Sequence, residues 1–196
     1  MGTPCTSFSR ARRGPPGSSW APVRTNANIW GLQNLRPSDA AKVSVGNQCA
    51  RFSIRVIQLC LKLSIPVCIE NPATSMLWNL PGICRLKRHP RSLDCVVDFC
   101  SFGARWRKRT RVLAWNLEDH SRLHGQCRGR GGICSFSNKH HIVLSGADPV
   151  TKRLWTKVAE PYPPAFAAAF AAALESSSES QQLSRLHELG AARMAR

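Results

Sequence analysis

Apolar and polar positions alternate with two different periods along the middle of this chain, and each period predicts a different element. After Ser38-Asp39, a typical helix start, apolar residues recur at helical spacing as far as Leu63. The pattern predicts one long helix, with Gly46-Asn47 as a candidate break. The apolar positions that define this helix are Val43, Cys49, Phe52, Val56, Leu59, Cys60 and Leu63.

Short runs of branched apolar residues predict strands. The first run, Ile65 to Ile69, ends at the polar sequence Glu70-Asn71-Pro72. Helices that alternate with buried strands predict an α/β fold, in which ligands gather at the carboxyl ends of the strands. The other predicted elements are strands at Cys95–Phe99, Arg111–Trp115 and His141–Leu144, a helical turn at Ala73–Trp78 and an Ala-rich helix at Pro161–Leu174.

Composition divides the chain into three parts. Residues 1–37 form a basic, loop-rich segment, because residues 10–37 are rich in Arg, Pro, Gly and Ser without any periodicity. Residues 38–174 contain the predicted α/β domain, and an apolar content of 43% is enough to bury one core. Residues 175–196 are predicted to be a polar Ser/Glu/Gln linker followed by an amphipathic helix from Leu183.

The charge of the chain predicts a polyanionic partner. Lys and Arg number 28 against 11 Asp and Glu, which gives a net charge of +17. A nucleic acid is the natural partner for such a surface. The alternative is a basic leader with an ordinary solvated surface. No apolar run reaches the roughly 18 residues that span a bilayer, so we expect no membrane association.

The nine cysteines indicate a reducing compartment. Their number is odd and their spacing irregular, and Cys60, Cys68 and Cys95 lie inside apolar runs, as reduced core cysteines do. We therefore expect an intracellular protein, located in the nucleus. An organelle is the alternative, because the first 38 residues contain five Arg and no acidic residue, as transit peptides do.

Two short motifs supply a thiol and a carboxyl group at the ends of predicted elements. Pro4-Cys5-Thr6-Ser7-Phe8-Ser9 contains a potential nucleophile, and Glu70-Asn71-Pro72 contains a potential acid. A thiolate adds to an electron-poor ring, and a nearby acid stabilises the charge that develops, which is the combination that cytosine modification needs. The alternatives are an inert loop cysteine and a turn that ends a strand.

These motifs resemble those of the DNA cytosine-5 methyltransferases. Pro4-Cys5 with Phe8-Ser9 is similar to that family's Pro-Cys-Gln-x-Phe-Ser nucleophile loop, and Glu70-Asn71-Pro72 is similar to its Glu-Asn-Val loop. Residues 107–112 resemble its Gln-x-Arg-x-Arg strand entry, and residues 159–164 resemble its Gly-Asn-x-x-Pro-Pro segment. The chain looks like the divergent methyltransferase-like domains of mobile-element and protist proteins.

The resemblance implies a fold, a chemistry and a set of site residues. The fold would be a partial Rossmann-like methyltransferase sheet with flanking helices and loosely ordered termini. Cys5 would attack C6 of a flipped-out cytosine, and Glu70 would bind N3 and the exocyclic amine, after which C5 would take a methyl group from S-adenosylmethionine. Arg109 and Arg111 would orient the base or Cys5. Substrate contacts would come from Ser9, Asn71, Trp106, Arg107 and Lys108, and phosphate contacts also from Arg85, Lys87, Arg88, Arg91 and Arg105.

The cofactor half of such an enzyme is not recognisable in the sequence. In the family, a glycine-rich turn between the first strand and helix precedes the cysteine loop and binds S-adenosylmethionine, whereas four residues precede Cys5 here. We therefore expect a partial methyltransferase that does not bind the cofactor tightly and is inactive alone. The alternative is a non-catalytic basic module that binds nucleic acid, with DNA favoured over RNA.

A second group of residues raises the question of a metal. His124, Cys127, Cys134, His140 and His141 lie close together in the sequence, with glycines between them. The spacing is not that of a common zinc finger and Cys-x2-Cys is absent, so the prediction is a Gly/Arg-rich surface loop with no metal. The alternative is zinc, with four ligands drawn from one loop. Those ligands would be Cys127, Cys134, His140 and His141.

Overall fold

A three-stranded sheet with helices on both faces forms the centre of the protein. The computed structural model describes residues 22–117 and 121–178. The strands are β1 (Val67–Pro72), β2 (Ser92–Asp98) and β3 (Arg109–Trp115), in the order β1-β3-β2 with β3 antiparallel to both neighbours. The α/β prediction is confirmed at this level. The predicted nucleophile loop around Cys5 and the predicted C-terminal helix lie outside the described residues.

Four α-helices surround the sheet in the described part of the chain. They are α1 (Pro37–Lys62), α2 (Pro81–Lys87), α3 (Trp155–Val158) and α4, which comprises residues 164–178. A short 3-10 helix, Met76–Asn79, and α2 connect β1 to β2, and a second 3-10 helix, Phe99–Phe102, follows β2. None of the helices within these residues is long and apolar enough to cross a membrane.

The first helix is continuous, so the predicted break at Gly46-Asn47 is wrong. The Asn47 side chain donates a hydrogen bond to the Trp30 carbonyl at 2.7 Å and accepts one from Arg24 at 2.7 Å. These contacts with the preceding loop favour helical backbone at Asn47 and offset the modest cost of a glycine within a helix.

The buried face of α1 is not the face that its apolar residues predict. Val43, Ala50 and Ile57 are buried and follow one another at intervals of two helical turns. In contrast, Phe52 is 68% exposed and Leu59 is 56% exposed. Of the seven apolar positions that predicted this helix, Val43 alone is buried. The small Ala50 allows α1 to approach the sheet, and the larger side chains are left on the outer face.

Alternate residues of β3 divide the core into two layers. Leu113 and Trp115 face α1 and α2, while Val112 faces α4. This is the period-2 alternation expected of a strand that is covered on both sides. The first layer also contains Ala50, Ile57, Trp78, Leu80, Ile83 and Leu86, and the second contains Cys95, Val97, Phe99, Leu123, Phe166 and Ala173.

The remaining sequence predictions have mixed outcomes. Cys95 is a buried core residue, as predicted, and Cys68 packs beside the same core layer. The predicted strand at residues 141–144 is wrong, because this stretch is irregular and only a single bridge, Ile133 with His140, lies beside it. Helix α4 continues past residue 174 to residue 178, because Ser177 and Ser178 bond carbonyls one turn back and so remain compatible with helix.

Candidate functional site

One edge of the sheet collects most of the predicted site residues. Because β1 and β2 both run antiparallel to β3, their carboxyl ends lie at the same edge as the start of β3. Glu70 and Asn71 are near the end of β1, Asp98 ends β2, and Arg109 and Arg111 begin β3. Residues far apart in the sequence are therefore neighbours at this edge, which is where α/β proteins usually bind ligands.

Two hydroxyl groups hold the Glu70 carboxylate. Thr110 Oγ1 donates to Glu70 Oε1 at 3.0 Å, and the Tyr162 hydroxyl donates to Oε2 at 2.7 Å. Burial, together with the hydrogen bond and negative charge of Glu70, raises the pKa of Tyr162 to about 12, so this phenol remains a donor at neutral pH. Each carboxylate oxygen can accept more than one hydrogen bond, so Glu70 retains acceptor capacity for a ligand.

Aromatic packing positions Tyr162 for this contact. Its ring meets the Phe99 ring edge-on at a centroid distance of 6.1 Å. It lies 5.6 Å from the ring of Phe166, a buried residue in the first turn of α4. Pairs of this geometry are typical of aromatic clusters in protein cores. The Glu70 carboxylate is therefore held by groups that are themselves fixed by the second core layer.

A cleft of about 560 Å³ lies between α1 and β1, next to Glu70. Its polar lining residues are Arg24, Asn47, Ser53, Glu70, Asn71 and Ser75. Arg24 donates to the carbonyls of Ile29 and Val43 and has no carboxylate partner within the described residues. The sequence did not single out Arg24, because it lies in a stretch whose composition predicts an exposed loop.

The two arginines predicted to be catalytic are engaged elsewhere. Arg109 donates two hydrogen bonds to Asp98, at 3.1 and 3.0 Å, and these raise the pKa of its guanidinium. Arg111 lies on the opposite face of β3 from Thr110, 5.8 Å from the Trp78 ring centroid, with its Nε 3.1 Å from Asp94 Oδ1. Their orientation of a base or of Cys5 therefore stays a prediction.

The neighbouring predicted substrate residues also have internal contacts. Arg107 pairs with Asp98 at 3.2 Å and donates to the Cys127 carbonyl at 2.7 Å. Lys108 donates to the Ala159 carbonyl at 3.3 Å and lies 5.2 Å from the centre of the Phe99 ring. Trp106 is half-buried and lines a second cleft of about 330 Å³ together with Tyr162, and its Nε1 has no partner among the described residues.

Several basic side chains of α2 and the following turn have no carboxylate partner in the part of the chain that the structure describes. Lys87 forms an ion pair with Asp94, but no such pair is formed by the exposed residues Arg85, Arg88 and Arg91. Surface cations that lack an internal partner are the ones available to phosphates.

Asp98 is a buried carboxylate that joins the sheet to the loop of residues 121–145, which we call the cysteine loop. It accepts hydrogen bonds from Arg109 and, at 2.8 Å, from the backbone N–H of Cys127, and it pairs with Arg107. Burial opposes its ionisation, but the hydrogen bonds from Arg109 and Cys127 and the two positive charges lower the pKa of Asp98 below its usual value. The sequence analysis missed Asp98, although its position at a strand end was a signal.

Three cysteines and a histidine meet beside Asp98. The ligand atoms of these four residues, which we call the Cys3His cluster, all lie within 4.8 Å of one another. The three cysteines are buried and form a core cluster that contains no other residue. The structure thus brings together four potential metal ligands, with Cys100 where the sequence analysis had His140. The members of the cluster are Cys100, Cys127, Cys134 and His141.

Cys100 escaped sequence analysis because it is distant from the other ligands and lies in an apolar stretch. The 3-10 helix after β2 positions it. The backbone of His140 instead pairs with Ile133 in an isolated bridge, and the adjacent His141 is the histidine that reaches the cluster.

Comparison of the chain with protein-family models, with curated proteins and with solved structures finds no match. The described residues also do not fit S-adenosylmethionine. None of the three strands leads through a glycine-rich turn into a helix, which is the backbone arrangement that a nucleotide-like cofactor needs at close approach. We therefore derive no methyl-transfer step. Cys5 and Ser9 lie outside the described residues, so their distance from Glu70 is not part of the site's geometry.

Proposed function

We propose that residues 22–178 belong to the nucleic-acid-binding part of a DNA cytosine-5 methyltransferase-like protein, in which Glu70 binds a flipped-out cytosine. The contact of Glu70 with Thr110 and Tyr162 carries this proposal. Glu70 lies in the Glu-Asn-Pro motif, Thr110 lies between the two arginines of the second motif, and Tyr162 lies in the Pro-Tyr-Pro-Pro segment. Three segments that separately resemble the family therefore converge on one carboxylate.

The arrangement of the strands supports the same proposal. β1 and β2 run in the same direction and are connected by a segment that contains α2, which is the kind of crossover that parallel strands require. Helices cover both faces of the sheet. These features support the proposal of a partial Rossmann-like sheet, with β3 as an inserted antiparallel strand.

The chemistry of a carboxylate explains selection of cytosine over thymine. Cytosine presents an exocyclic amine that donates hydrogen bonds, and a glutamate is a suitable acceptor for it. Thymine presents a carbonyl oxygen at the same position, which a carboxylate would repel. Because Thr110 and Tyr162 already orient Glu70, little ordering of the side chain remains to oppose binding. The base must leave the duplex stack to reach this carboxylate.

The experiment compares binding of the full chain to two DNA duplexes that differ only in one unpaired base, cytosine or thymine. We expect fluorescence anisotropy to show about tenfold tighter binding to cytosine, since a well-oriented base contact contributes ~1–3 kcal/mol of discrimination. Glu70→Gln should abolish this preference. Glu160→Gln removes the same charge from an exposed residue that pairs only locally with Lys157, so it is the matched control and should retain the preference.

Two results would contradict the base-binding role of Glu70. One is equal affinity of the unmodified protein for the two duplexes, and the other is a cytosine preference that persists in Glu70→Gln. Circular dichroism of both variants shows whether the fold is preserved.

A basic module without base selection is the second candidate function. The net charge of +17 favours it, as do the exposed cations Arg85, Arg88 and Arg91, which form no ion pair with the described residues. It predicts binding that weakens steeply with salt and does not distinguish the two duplexes. Binding that does not depend on salt would contradict both candidates.

A further inference from the structure

We propose that the Cys3His cluster binds one Zn²⁺ ion in a closed, four-coordinate site that holds the cysteine loop against the end of β2. This inference does not rest on the proposed function. The ligand set is one that structural zinc sites use: three thiolates and one imidazole, with no position left for water or substrate.

The spacing of the ligand atoms fits a tetrahedral ion. Zn–S bonds of about 2.3 Å separate two ligand sulfurs by about 3.8 Å, and a sulfur and an imidazole nitrogen by about 3.5 Å. Cys127 Sγ lies 3.8 Å from His141 Nε2, and every other pair of ligand atoms in the cluster is within 4.8 Å. An ion at the centre therefore needs shifts of only about an ångström or less.

Backbone and hydroxyl donors surround the sulfurs as they do around metal-bound thiolates. Ser135 donates to Cys127 Sγ from its N–H at 3.4 Å and from its hydroxyl at 3.5 Å, and the N–H of Phe136 donates to Cys134 Sγ at 3.4 Å. Such contacts orient thiolate ligands and stabilise their charge.

Binding of the ion balances the charge of the ligands. The three thiols lose their protons to solvent and coordinate the metal as thiolates, and the divalent cation offsets their negative charge in this buried position.

The loop is shaped to deliver two of the ligands. The N–H of Cys134 donates to the Lys139 carbonyl at 2.8 Å, and the N–H of His141 donates to the Gly132 carbonyl at 2.8 Å, so both ligands lie on a closed turn. Gly129 allows this turn to close, because a Cβ there would overlap the carbonyl oxygen of Ile133. The backbone of this turn therefore brings both ligands to the cluster.

The cysteine loop buries little apolar surface around the cluster itself. Leu123 packs into the second core layer, but the three cysteines form a core cluster of their own, and Ile133, Phe136 and Val143 are exposed. Segments with so little hydrophobic core usually depend on disulfides or a metal. Asp98 accepts a hydrogen bond from the N–H of Cys127 and Arg107 donates one to its carbonyl, so both side chains fix the backbone that carries this ligand.

The test begins with the metal content of the full chain. The protein is purified in reductant without chelator, mixed with one equivalent of Zn²⁺ and then passed through a desalting column. We expect about one zinc per chain by mass spectrometry of the metal, and replacement by Co²⁺ should give the absorption of a tetrahedral thiolate site. Absence of bound zinc would overturn the proposal. So would a thiol titration that shows two of the three cysteines joined in a disulfide in the purified protein.

Adjacent histidines provide the sharpest pair of variants. His141→Ala should weaken zinc binding by about tenfold or more, whereas His140→Ala should leave it unchanged, because His140 is not among the ligands. A second pair is Cys134→Ser, which should lose the metal, and Cys84→Ser, which lies outside the cluster and should keep it. If the two variants of either pair bind zinc equally well, the assigned ligands are wrong. Because each pair is compared internally, this conclusion holds even if one variant folds poorly.

Hydrogen exchange locates the effect of the ion. Chelation should increase exchange in residues 121–145 and leave the amides of β3 protected. Loss of protection throughout the sheet, or no change in the loop, would contradict a role confined to the cysteine loop.

Discussion

The Glu70 end of the sheet and the cysteine loop lie at the same edge of the molecule, but different forces hold them. Glu70 contacts groups on β3 and beside α4 that the two hydrophobic layers position. The cysteine loop has a buried cluster of sulfurs and one apolar residue in the sheet core, Leu123, whereas Ile133, Phe136 and Val143 are exposed. Beyond Leu123, its attachment to the sheet is polar and includes Asp98 and two arginines.

This difference implies that the two regions respond to different perturbations. Burial of apolar area is insensitive to pH and chelators, whereas carboxylate and thiolate contacts depend on protonation and on a bound cation. Changes in the core should therefore affect both regions together, and changes at Asp98 should affect mainly the loop.

The largest effect is expected for Trp115→Ala. Trp115 is fully buried between the sheet, α1 and α2, and its Nε1 donates to the Leu86 carbonyl at 3.0 Å. Truncation leaves a cavity and should lower the free energy of unfolding by about 4 kcal/mol. Urea unfolding followed by far-ultraviolet circular dichroism measures it. Phe52→Ala, on the exposed face of α1, is the control and should change stability by less than about 0.5 kcal/mol.

Removal of the metal with a chelator tests whether the core of the sheet and the cysteine loop are independent. If the sheet and the loop are independent, the cost of Trp115→Ala should be the same with and without bound metal, because distant effects add. A cost that shrinks markedly on chelation would show that the core of the sheet itself depends on the loop.

A smaller effect, centred on the loop, is expected for Asp98→Asn. The change removes the buried negative charge shared by Arg109, Arg107 and the N–H of Cys127, and should cost about 3 kcal/mol. Asp148→Asn is the control, since the Asp148 carboxylate accepts its hydrogen bonds from Val150 and Thr151 in its own exposed turn, and the change should matter much less. Hydrogen exchange should place the loss of protection in residues 121–145, and uniform loss would contradict the comparison.

The same carboxylate predicts an acid dependence. Because the pKa of Asp98 in the folded protein lies below its unfolded value of about 3.9, its stabilisation is fully present above that pH. The stabilisation is lost as pH falls through the folded pKa. The difference in unfolding free energy between the unmodified protein and Asp98→Asn should therefore narrow below about pH 4. A constant difference from pH 7 to pH 3 would exclude this mechanism.

The smallest effect on stability is expected for Tyr162→Phe. The ring and its packing against Phe99 and Phe166 remain, and one hydrogen bond to Glu70 is lost. We expect a cost of about 1 kcal/mol in stability and a reduced preference for the cytosine duplex, because Glu70 loses one of its two orienting donors. Unchanged cytosine preference in this variant, measured by anisotropy, would show that Thr110 alone is sufficient.

Local patterns in the sequence were enough to find most of the elements. The branched runs at residues 65–69, 95–99 and 111–115 correspond to β1, β2 and β3, with bounds shifted by a few residues. The buried face of α1 was not predictable in this way, because it depends on which side the sheet accepts. Small Ala50 is buried and large Phe52 is exposed, which reverses the order that hydrophobicity gives.

The candidate residues show the same division. Glu70, Cys127, Cys134 and His141 were recognisable because their side-chain chemistry is visible in the sequence. The partners were not. Asp98 meets Arg109 because the register of β2 with β3 places them opposite each other, and Cys100 joins the cluster because a 3-10 helix turns it toward the cysteine loop.

The kinds of element, the basic charge and the chemically active residue types were therefore readable from the chain, since each is a property of neighbouring residues. Strand order, the choice of Cys100 and His141 as partners, and the meeting of Thr110 and Tyr162 at Glu70 required the folded molecule. These are contacts between distant residues, and strand pairing and helix packing, rather than local preference, determine which distant residues meet.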